Sequence, residues 1–172
     1  MKNNLYYPQV SLSDKEIFAE IKKEREVIGY YSLPYVDTTV LKTRLDDLNF
    51  PQKQIAIIGI GGSTLGTYAI YNFMKYNKQH NKSLKKELFF FESTDPVNLN
   101  GTLAQLNLND TLFIVISKSG TTIETISIFK YLMSITKIDK SNLLVITEDD
   151  SKLNTFAKAN DVNTFDIPKN VG

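Results

Sequence analysis

The chain has 172 residues, of which 42% are hydrophobic, and its 20 Lys and Arg against 19 Asp and Glu leave a formal net charge of +1. This length supports one sizeable core with an appendage, and the balanced charge gives no field that would attract nucleic acid or an anionic membrane. The absence of cysteine excludes a disulfide framework and thiolate chemistry. Because no apolar stretch suits a signal peptide or a membrane span, we expect a cytoplasmic protein.

The first part of the chain, residues 1–49, contains no run typical of a buried strand, and we expect a helical segment there. Ser13-Asp14-Lys15-Glu16 is a capping box, which predicts a helix that runs to about Ile28. A second, weaker helix would hold Val40, Leu41, Leu45 and Leu48. Residues 50–172 form the second predicted domain.

From residue 55 onward, short apolar runs recur. They are residues 55–58, 88–91, 112–116 and 143–146, with a weaker run at 164–167. Runs that are apolar throughout are typical of strands buried on both faces, as in parallel sheets, and helical patterns lie between them. The sequence therefore predicts a doubly wound, five-stranded parallel α/β sheet with right-handed crossovers, and we take its strand order to be 2-1-3-4-5.

The intervening helices have distinct signals. Leu65, Ala69 and Phe73 share one face of the first, and Asp95-Pro96 provides an N-cap and a first helical residue for the second. The third, over about 121–135, is apolar over a wide arc, which predicts that it is well buried: Ile123, Ile126, Phe129, Leu132 and Met133. A short fourth helix follows Asp149-Asp150-Ser151, where the acidic pair indicates a helix start rather than a general acid and base.

We expect no metal site in this chain. His80 is the single histidine and lies in a polar stretch without visible partners, so we interpret it as a loop residue.

A hydroxyl-rich loop follows the third predicted strand. Ser117-Lys118-Ser119-Gly120-Thr121-Thr122 places hydroxyls, a lysine and a glycine where a strand turns into a helix. The N–H groups at a helix start and the positive end of its dipole favour an anion, and Gly120 lets the backbone approach closely. The loop predicts a cradle for the phosphate of a small molecule.

A glycine-rich loop, residues 59–66, follows the first predicted strand. Its spacing does not meet the dinucleotide fingerprint G-x-G-x-x-G, and we expect no cofactor. In the predicted strand order the first and third strands are neighbours whose crossovers leave on opposite faces, so both loops flank the switch point where such sheets bind ligands. Tight packing of the glycines and plain capping by the hydroxyls are the alternative.

Together the two loops resemble a known family. Gly59-Ile60-Gly61-Gly62-Ser63 with Leu65-Gly66, and the hydroxyl-rich loop with Glu124-Thr125, are similar to the first sugar-isomerase (SIS) domain of the bacterial glucose-6-phosphate isomerase (phosphoglucose isomerase) family. The resemblance covers the chain from about Phe50 to its end. It implies an N-terminal part of an aldose-ketose isomerase of glycolysis and gluconeogenesis. Other SIS proteins usually carry glutamine where this chain has Lys118.

The resemblance also implies roles for single residues. Hydroxyls of the second loop, with nearby amides, would hold the sugar phosphate: Ser117, Ser119 and Thr121 or Thr122. Gly62 and Ser63 would line the sugar end, and Lys118 either adds charge or extends outward. Glu124 would support catalytic groups from elsewhere, although Thr121-x-x-Glu124 is also a capping box that accounts for it without catalysis.

The reaction of the family opens the sugar ring and moves a proton between two carbons through an enediol. It needs a base, commonly a glutamate, with a histidine and a lysine for ring opening and an arginine for the intermediate, and none of these matches a position here. We expect a fragment that binds the sugar phosphate without turnover, and a homodimer for the full-length enzyme. A stand-alone SIS module that senses a sugar phosphate is the alternative, and a scaffold role is more distant.

Overall fold

The computed structural model describes residues 13–77 and 84–171, and the chain divides into two compact units. The first unit comprises residues 1–39 and 168–172, and the second comprises residues 40–167. The predicted domain boundary near Asn49 stays a prediction. The predicted loop position of His80 lies outside the described residues.

In the first unit, helix α1 (Asp14–Val27) begins at the predicted capping box. The Ser13 hydroxyl accepts from the Glu16 N–H, and the Glu16 carboxylate accepts from the Ser13 N–H at 2.7 Å. Hydrogen bonds from the N–H and the hydroxyl of Ser13 to this carboxylate lower the pKa of Glu16 from its ordinary value. Two short 3₁₀ turns follow, Gly29–Tyr31 and Leu33–Tyr35.

The second unit contains one sheet of five parallel strands. They are β1 (Gln54–Ile58), β2 (Glu87–Phe91), β3 (Thr111–Ile116), β4 (Leu143–Thr147) and β5 (Asn163–Asp166). The strand order β2-β1-β3-β4-β5 confirms the predicted topology.

Five further helices follow in chain order. They are α2 (Thr39–Leu48), α3 (Leu65–Tyr76), α4 (Pro96–Leu103), α5 (Ile123–Ile135) and α6 (Lys152–Ala159). The sequence predicts each of them at this place in the chain, and Asp95 is the N-cap of α4 as predicted. Among the helices that the structure describes, none is long and apolar enough to cross a lipid bilayer.

One face of the sheet carries the main core. Phe113 lies opposite Ala56 on β1 and Leu143 on β4, so the three side chains share a face, and all are buried. Helices α4, α5 and α6 pack on this face through Leu99, Ile128, Leu132 and Leu153. The predicted burial of α5 is wrong at two positions, because Ile123 is 78% exposed and Met133 is 39% exposed.

Helix α3 covers the other face of the sheet. The rings of Tyr68 and Tyr71 pack against Phe90, with ring centroids 4.9 and 6.2 Å from that of Phe90. The next residue, Phe91, belongs to the main core, so Phe90 lies on the opposite face of the sheet. The crossovers after β1 and β3 therefore leave on opposite faces, as predicted. Tyr71 is the buried residue of α3, whereas Leu65 and Phe73, on the apolar face identified in the sequence, are exposed.

Candidate functional site

The loops that follow β1 and β3 meet at the same edge of the sheet. β1 and β3 are parallel neighbours, with Ile58 opposite Val115. Gly59 approaches the next strand so closely that a Cβ atom on it would lie 2.9 Å from the carbonyl oxygen of Ile116. Glycine alone fits there without displacing backbone. The predicted position of the two loops at the ends of neighbouring strands is therefore confirmed.

Hydroxyls within the second loop bond to one another. Ser117 is buried, at 1% exposure, and its Oγ lies 3.0 Å from the Oγ1 of Thr122. The Ser119 Oγ accepts from the Oγ1 of Thr121 at 3.0 Å and from its N–H at 3.3 Å. Ser119 and Thr121 are exposed. The loop thus exposes the hydroxyls of Ser119 and Thr121, whereas the Ser117 hydroxyl is buried and bonds to Thr122.

Gly120 lies where this loop rests on the start of α6. Its φ is +65°, and a Cβ atom there would lie 2.8 Å from the Ser151 Cβ and 2.9 Å from the Leu153 Cβ. A side chain would therefore be strained by the backbone and blocked by its neighbours.

Thr147, the last residue of β4, holds the second loop in place through hydrogen bonds of its hydroxyl. Its Oγ1 donates to the carbonyl of Ser117 at 2.6 Å and lies 2.8 Å from the Ser151 Oγ, and Thr147 is fully buried. Since the Thr147 proton goes to the carbonyl, Ser151 donates the second bond. Sequence analysis missed this pair, and a threonine that ends a buried apolar strand is the signal that could have found it.

Lys118 lies on the β4 side of the loop. Its Nζ is 3.8 Å from the Oε1 of Glu148, and its carbonyl accepts from the Glu148 N–H at 3.1 Å. The ammonium is thus half-exposed beside a carboxylate, at the rim of the loop.

Helix α5 begins one residue later than the predicted capping box requires. Thr122 is its N-cap, and the Thr122 side chain makes no cap hydrogen bond because its hydroxyl contacts Ser117 instead. The capping-box interpretation of Thr121 and Glu124 is therefore wrong. Glu124 is the exposed second residue of the helix, where a carboxylate suits the helix dipole.

Helix α3 is also without a side-chain cap. Its N-cap is Thr64, which follows the 3₁₀ turn Gly61–Ser63, and the Thr64 hydroxyl donates to the carboxylate of Glu92 directly after β2. Gly62 is exposed and Ser63 is half-buried. Sequence analysis missed the pairing of Thr64 with Glu92, for which the acid directly after an apolar strand is the available signal.

Known proteins resemble this chain over most of its length. The family model described as phosphoglucose isomerase matches residues 51–169. The chain is 35% identical over 186 residues to glucose-6-phosphate isomerase of Campylobacter jejuni, a match that covers 100% of this chain and 44% of the relative. It is 31% identical over 167 residues to glucose-6-phosphate isomerase of Carboxydothermus hydrogenoformans, covering 88% of this chain and 35% of the relative.

Two solved structures share the fold. A hypothetical protein of Thermus thermophilus superposes with a TM-score of 0.71 at 26% identity, over 92% of this chain and 38% of that chain. A glucose-6-phosphate isomerase of Chlamydia trachomatis superposes with a TM-score of 0.64 at 24% identity, over 96% of this chain and 29% of that chain. The chain spans less than half the length of each of these four proteins.

Proposed function

Since this chain belongs to the phosphoglucose isomerase family, we propose that it is the part of a longer enzyme that binds the sugar phosphate. The longer enzyme would interconvert glucose 6-phosphate and fructose 6-phosphate. The reaction is an aldose-ketose isomerisation through an enediol, in glycolysis and gluconeogenesis. The whole enzyme would act in the cytoplasm as a homodimer, on small sugar phosphates rather than nucleic acid.

The observation that carries the proposal is the pair of uncapped helix starts at adjacent strand ends. Thr64 and Thr122 both occupy N-cap positions, and neither side chain bonds to its own helix. Their helices leave N–H groups and the positive ends of two dipoles at one edge of the sheet, where the start of α5 favours the phosphate dianion and the start of α3 offers donors to the oxygens of the sugar. A hydrogen bond to a charged group contributes on the order of 1.5–3 kcal/mol, so a few of them suffice for binding.

The proposed roles follow the position of each side chain. Ser119, Thr121 and Thr122 donate to the phosphate with nearby amides, while buried Ser117 shapes the loop through its bond to Thr122. Lys118 adds positive charge at the rim.

The sugar end of the ligand is assigned to the first loop. Gly62 and Ser63 would contact the sugar, and both lie in the 3₁₀ turn that leads into α3. Glu124 is exposed at the start of α5, where it would support catalytic groups from the rest of the enzyme.

Calorimetric titration with glucose 6-phosphate tests the binding half of the proposal. We expect Ser119→Ala and Thr122→Ala each to weaken binding about tenfold, because each removes a donor to a charged group. Ser127→Ala, which changes an exposed hydroxyl one turn further along α5, is the matched control and should bind as the unchanged chain does. An unchanged affinity in the Ser119→Ala, Thr122→Ala double variant would count against the cradle.

A coupled isomerase assay tests the catalytic half. The isolated chain should turn over several orders of magnitude more slowly than ordinary enzymes, since a positioned acid or base contributes about 10²–10⁴-fold. Rates near those of ordinary enzymes would refute the predicted inactivity and leave the binding proposal in place.

A further inference from the structure

We propose that Glu92 is a positioning residue of this site, which acts through Thr64 to keep the start of α3 open to the sugar end of the ligand. The inference rests on the proposed function. It adds a residue from a third strand end, that of β2, to the two loops already described.

Glu92 lies beside the first loop because β2 and β1 are parallel neighbours. The N–H of Gly59 donates to the carbonyl of Phe91 at 3.2 Å, which joins the end of β2 to the start of the loop. Glu92 directly follows Phe91, and its Oε1 accepts a hydrogen bond from the Thr64 Oγ1. Thr64 is fully buried, whereas Glu92 is exposed. An exposed carboxylate therefore orients a buried hydroxyl.

The proton of Thr64 has two acceptors within reach. The carbonyl of Gly61 lies 3.3 Å from the Oγ1, and the carboxylate of Glu92 is closer. A hydroxyl has one proton to donate, and a charged acceptor forms the stronger bond, so the proton goes to Glu92. Because a threonine side chain is stiff about χ1, this bond holds the oxygen in one orientation.

That orientation differs from the orientation of an ordinary cap. Thr64 has ψ −34°, whereas Ser151, which caps α6, has ψ 157° and accepts from the Asn154 N–H. An N-cap residue normally has extended backbone, and its oxygen faces the helix N–H groups. With the Thr64 oxygen turned to Glu92, the first N–H groups of α3 are left for a ligand.

The same bond orders the turn that carries the proposed sugar contacts. The Thr64 N–H donates to the Gly61 carbonyl at 3.0 Å, and the Ser63 N–H donates to the Ile60 carbonyl at 3.2 Å. Thr64 is thus the last residue of the turn that holds Gly62 and Ser63. The phosphate loop over residues 117–122 has its own supports, Thr147 and Ser151. Glu92 should therefore affect sugar recognition and leave phosphate recognition unchanged.

Four variants separate this role from a general effect on folding. Glu92→Ala removes the acceptor and Glu92→Gln keeps an acceptor oxygen, while Thr64→Val removes the donor and Thr64→Ser keeps it. Affinities for glucose 6-phosphate and for inorganic phosphate are measured by calorimetry on the whole chain, with thermal unfolding recorded for each variant.

We expect Glu92→Ala and Thr64→Val each to weaken binding of glucose 6-phosphate about 3–10-fold, the effect of one hydrogen bond. The double variant should be no weaker than either single variant, because the two residues act through one bond. Glu92→Gln and Thr64→Ser should restore most of the affinity, and binding of inorganic phosphate should stay the same throughout. An equal loss for both ligands, no loss, or losses that add in the double variant would overturn the inference.

A second measurement keeps this inference separate from the proposed function. If the unchanged chain does not bind glucose 6-phosphate, the proposed function fails. The role of Glu92 is then judged from amide NMR spectra, in which Glu92→Ala should shift the N–H signals of residues 61–67 and leave those of residues 117–122 in place. Unshifted signals at 61–67 would reject it. Because Glu92 is exposed, its alanine variant should fold even if Thr64→Val does not.

Discussion

Four helices begin at the carboxyl edge of the sheet, and they differ in what satisfies their first N–H groups. Helices α4 and α6 are capped by their own sequences: Asp95 accepts from the N–H groups of Val97 and Asn98, both at 2.9 Å, and Ser151 accepts from that of Asn154 at 3.0 Å. Helices α3 and α5 have threonine at the same position and no side-chain cap.

The difference separates helices that are complete in themselves from helices that leave donors for a ligand. Omitting a cap costs about 0.5–2 kcal/mol, so two uncapped helices side by side reduce stability unless something else binds there. Each threonine hydroxyl bonds to a residue outside its own helix, Thr64 to Glu92 and Thr122 to Ser117. The uncapped pair follows β1 and β3, which is where the topology switches direction.

Gly120→Ala should have the largest effect, because Gly120 lies where the uncapped and capped regions touch. Its positive φ and its contact with Ser151 should together lower the free energy of unfolding by about 2–4 kcal/mol, measured by urea denaturation. Displacement of the loop should also remove measurable binding of glucose 6-phosphate.

The matched control is Gly101→Ala in the capped helix α4. A Cβ atom at Gly101 meets no heavy atom within 4 Å, so alanine should stabilise the chain by about 0.5–1 kcal/mol. Equal destabilisation by the two substitutions would show that Gly120 has no special place in the structure.

Thr147→Val should have the next largest effect, since it cuts the link between the two regions while keeping the side-chain shape. The carbonyl of Ser117 would lose its buried donor, at a cost of about 1–3 kcal/mol in the free energy of unfolding. Thr155→Val on the surface of α6 is the control and should change stability by less than about 0.5 kcal/mol. Similar values for both would argue against the role of Thr147.

Asp95→Ala removes the cap of α4 and tests whether capping and binding are separate. The free energy of unfolding should fall by about 0.5–2 kcal/mol, while the affinity for glucose 6-phosphate stays unchanged. Thr122→Ala should show the opposite pattern, with weaker binding as its main effect. A loss of affinity in Asp95→Ala would contradict the division between the two helix pairs.

The smallest effect is expected at Asp139, in the turn at the far end of α5, which serves as a reference remote from both helix pairs. Hydrogen bonds from the hydroxyl and N–H of Ser141, with a further one from Lys137, lower the pKa of Asp139 from 3.8 to about 2. Because the folded pKa is the lower one, this contribution to stability is present above about pH 4 and is lost as the pH falls towards about 2.

NMR titration of the carboxyl groups measures this shift. Ser141→Ala should raise the pKa of Asp139 towards its usual value. The pKa of Asp161, which is lowered by a hydrogen bond from Lys140, should not move. A pKa of Asp139 that stays low in the variant would assign the shift to the backbone N–H of residue 141 and to Lys137 instead.

Local sequence predicted most of the secondary structure, because apolar periodicity and cap residues report directly on backbone conformation. The α1 capping box, the Asp95 cap and the apolar strands were all confirmed. The error at α5 shows the limit of such patterns. Thr121-x-x-Glu124 has the residue types of a capping box, but the Thr122 hydroxyl bonds to Ser117 and the helix begins one residue later.

The sequence by itself therefore determined the elements and the identity of the two loops, since each leaves a signal within a few neighbouring residues. Tertiary structure alone decided the partners that hold those loops, because Glu92 is 28 residues from Thr64 and Thr147 is 30 residues from Ser117. It also decided which face of α3 is buried. Such pairings depend on which strand ends adjoin in the folded sheet, and hydrogen bonds between distant side chains leave no periodic pattern along the chain.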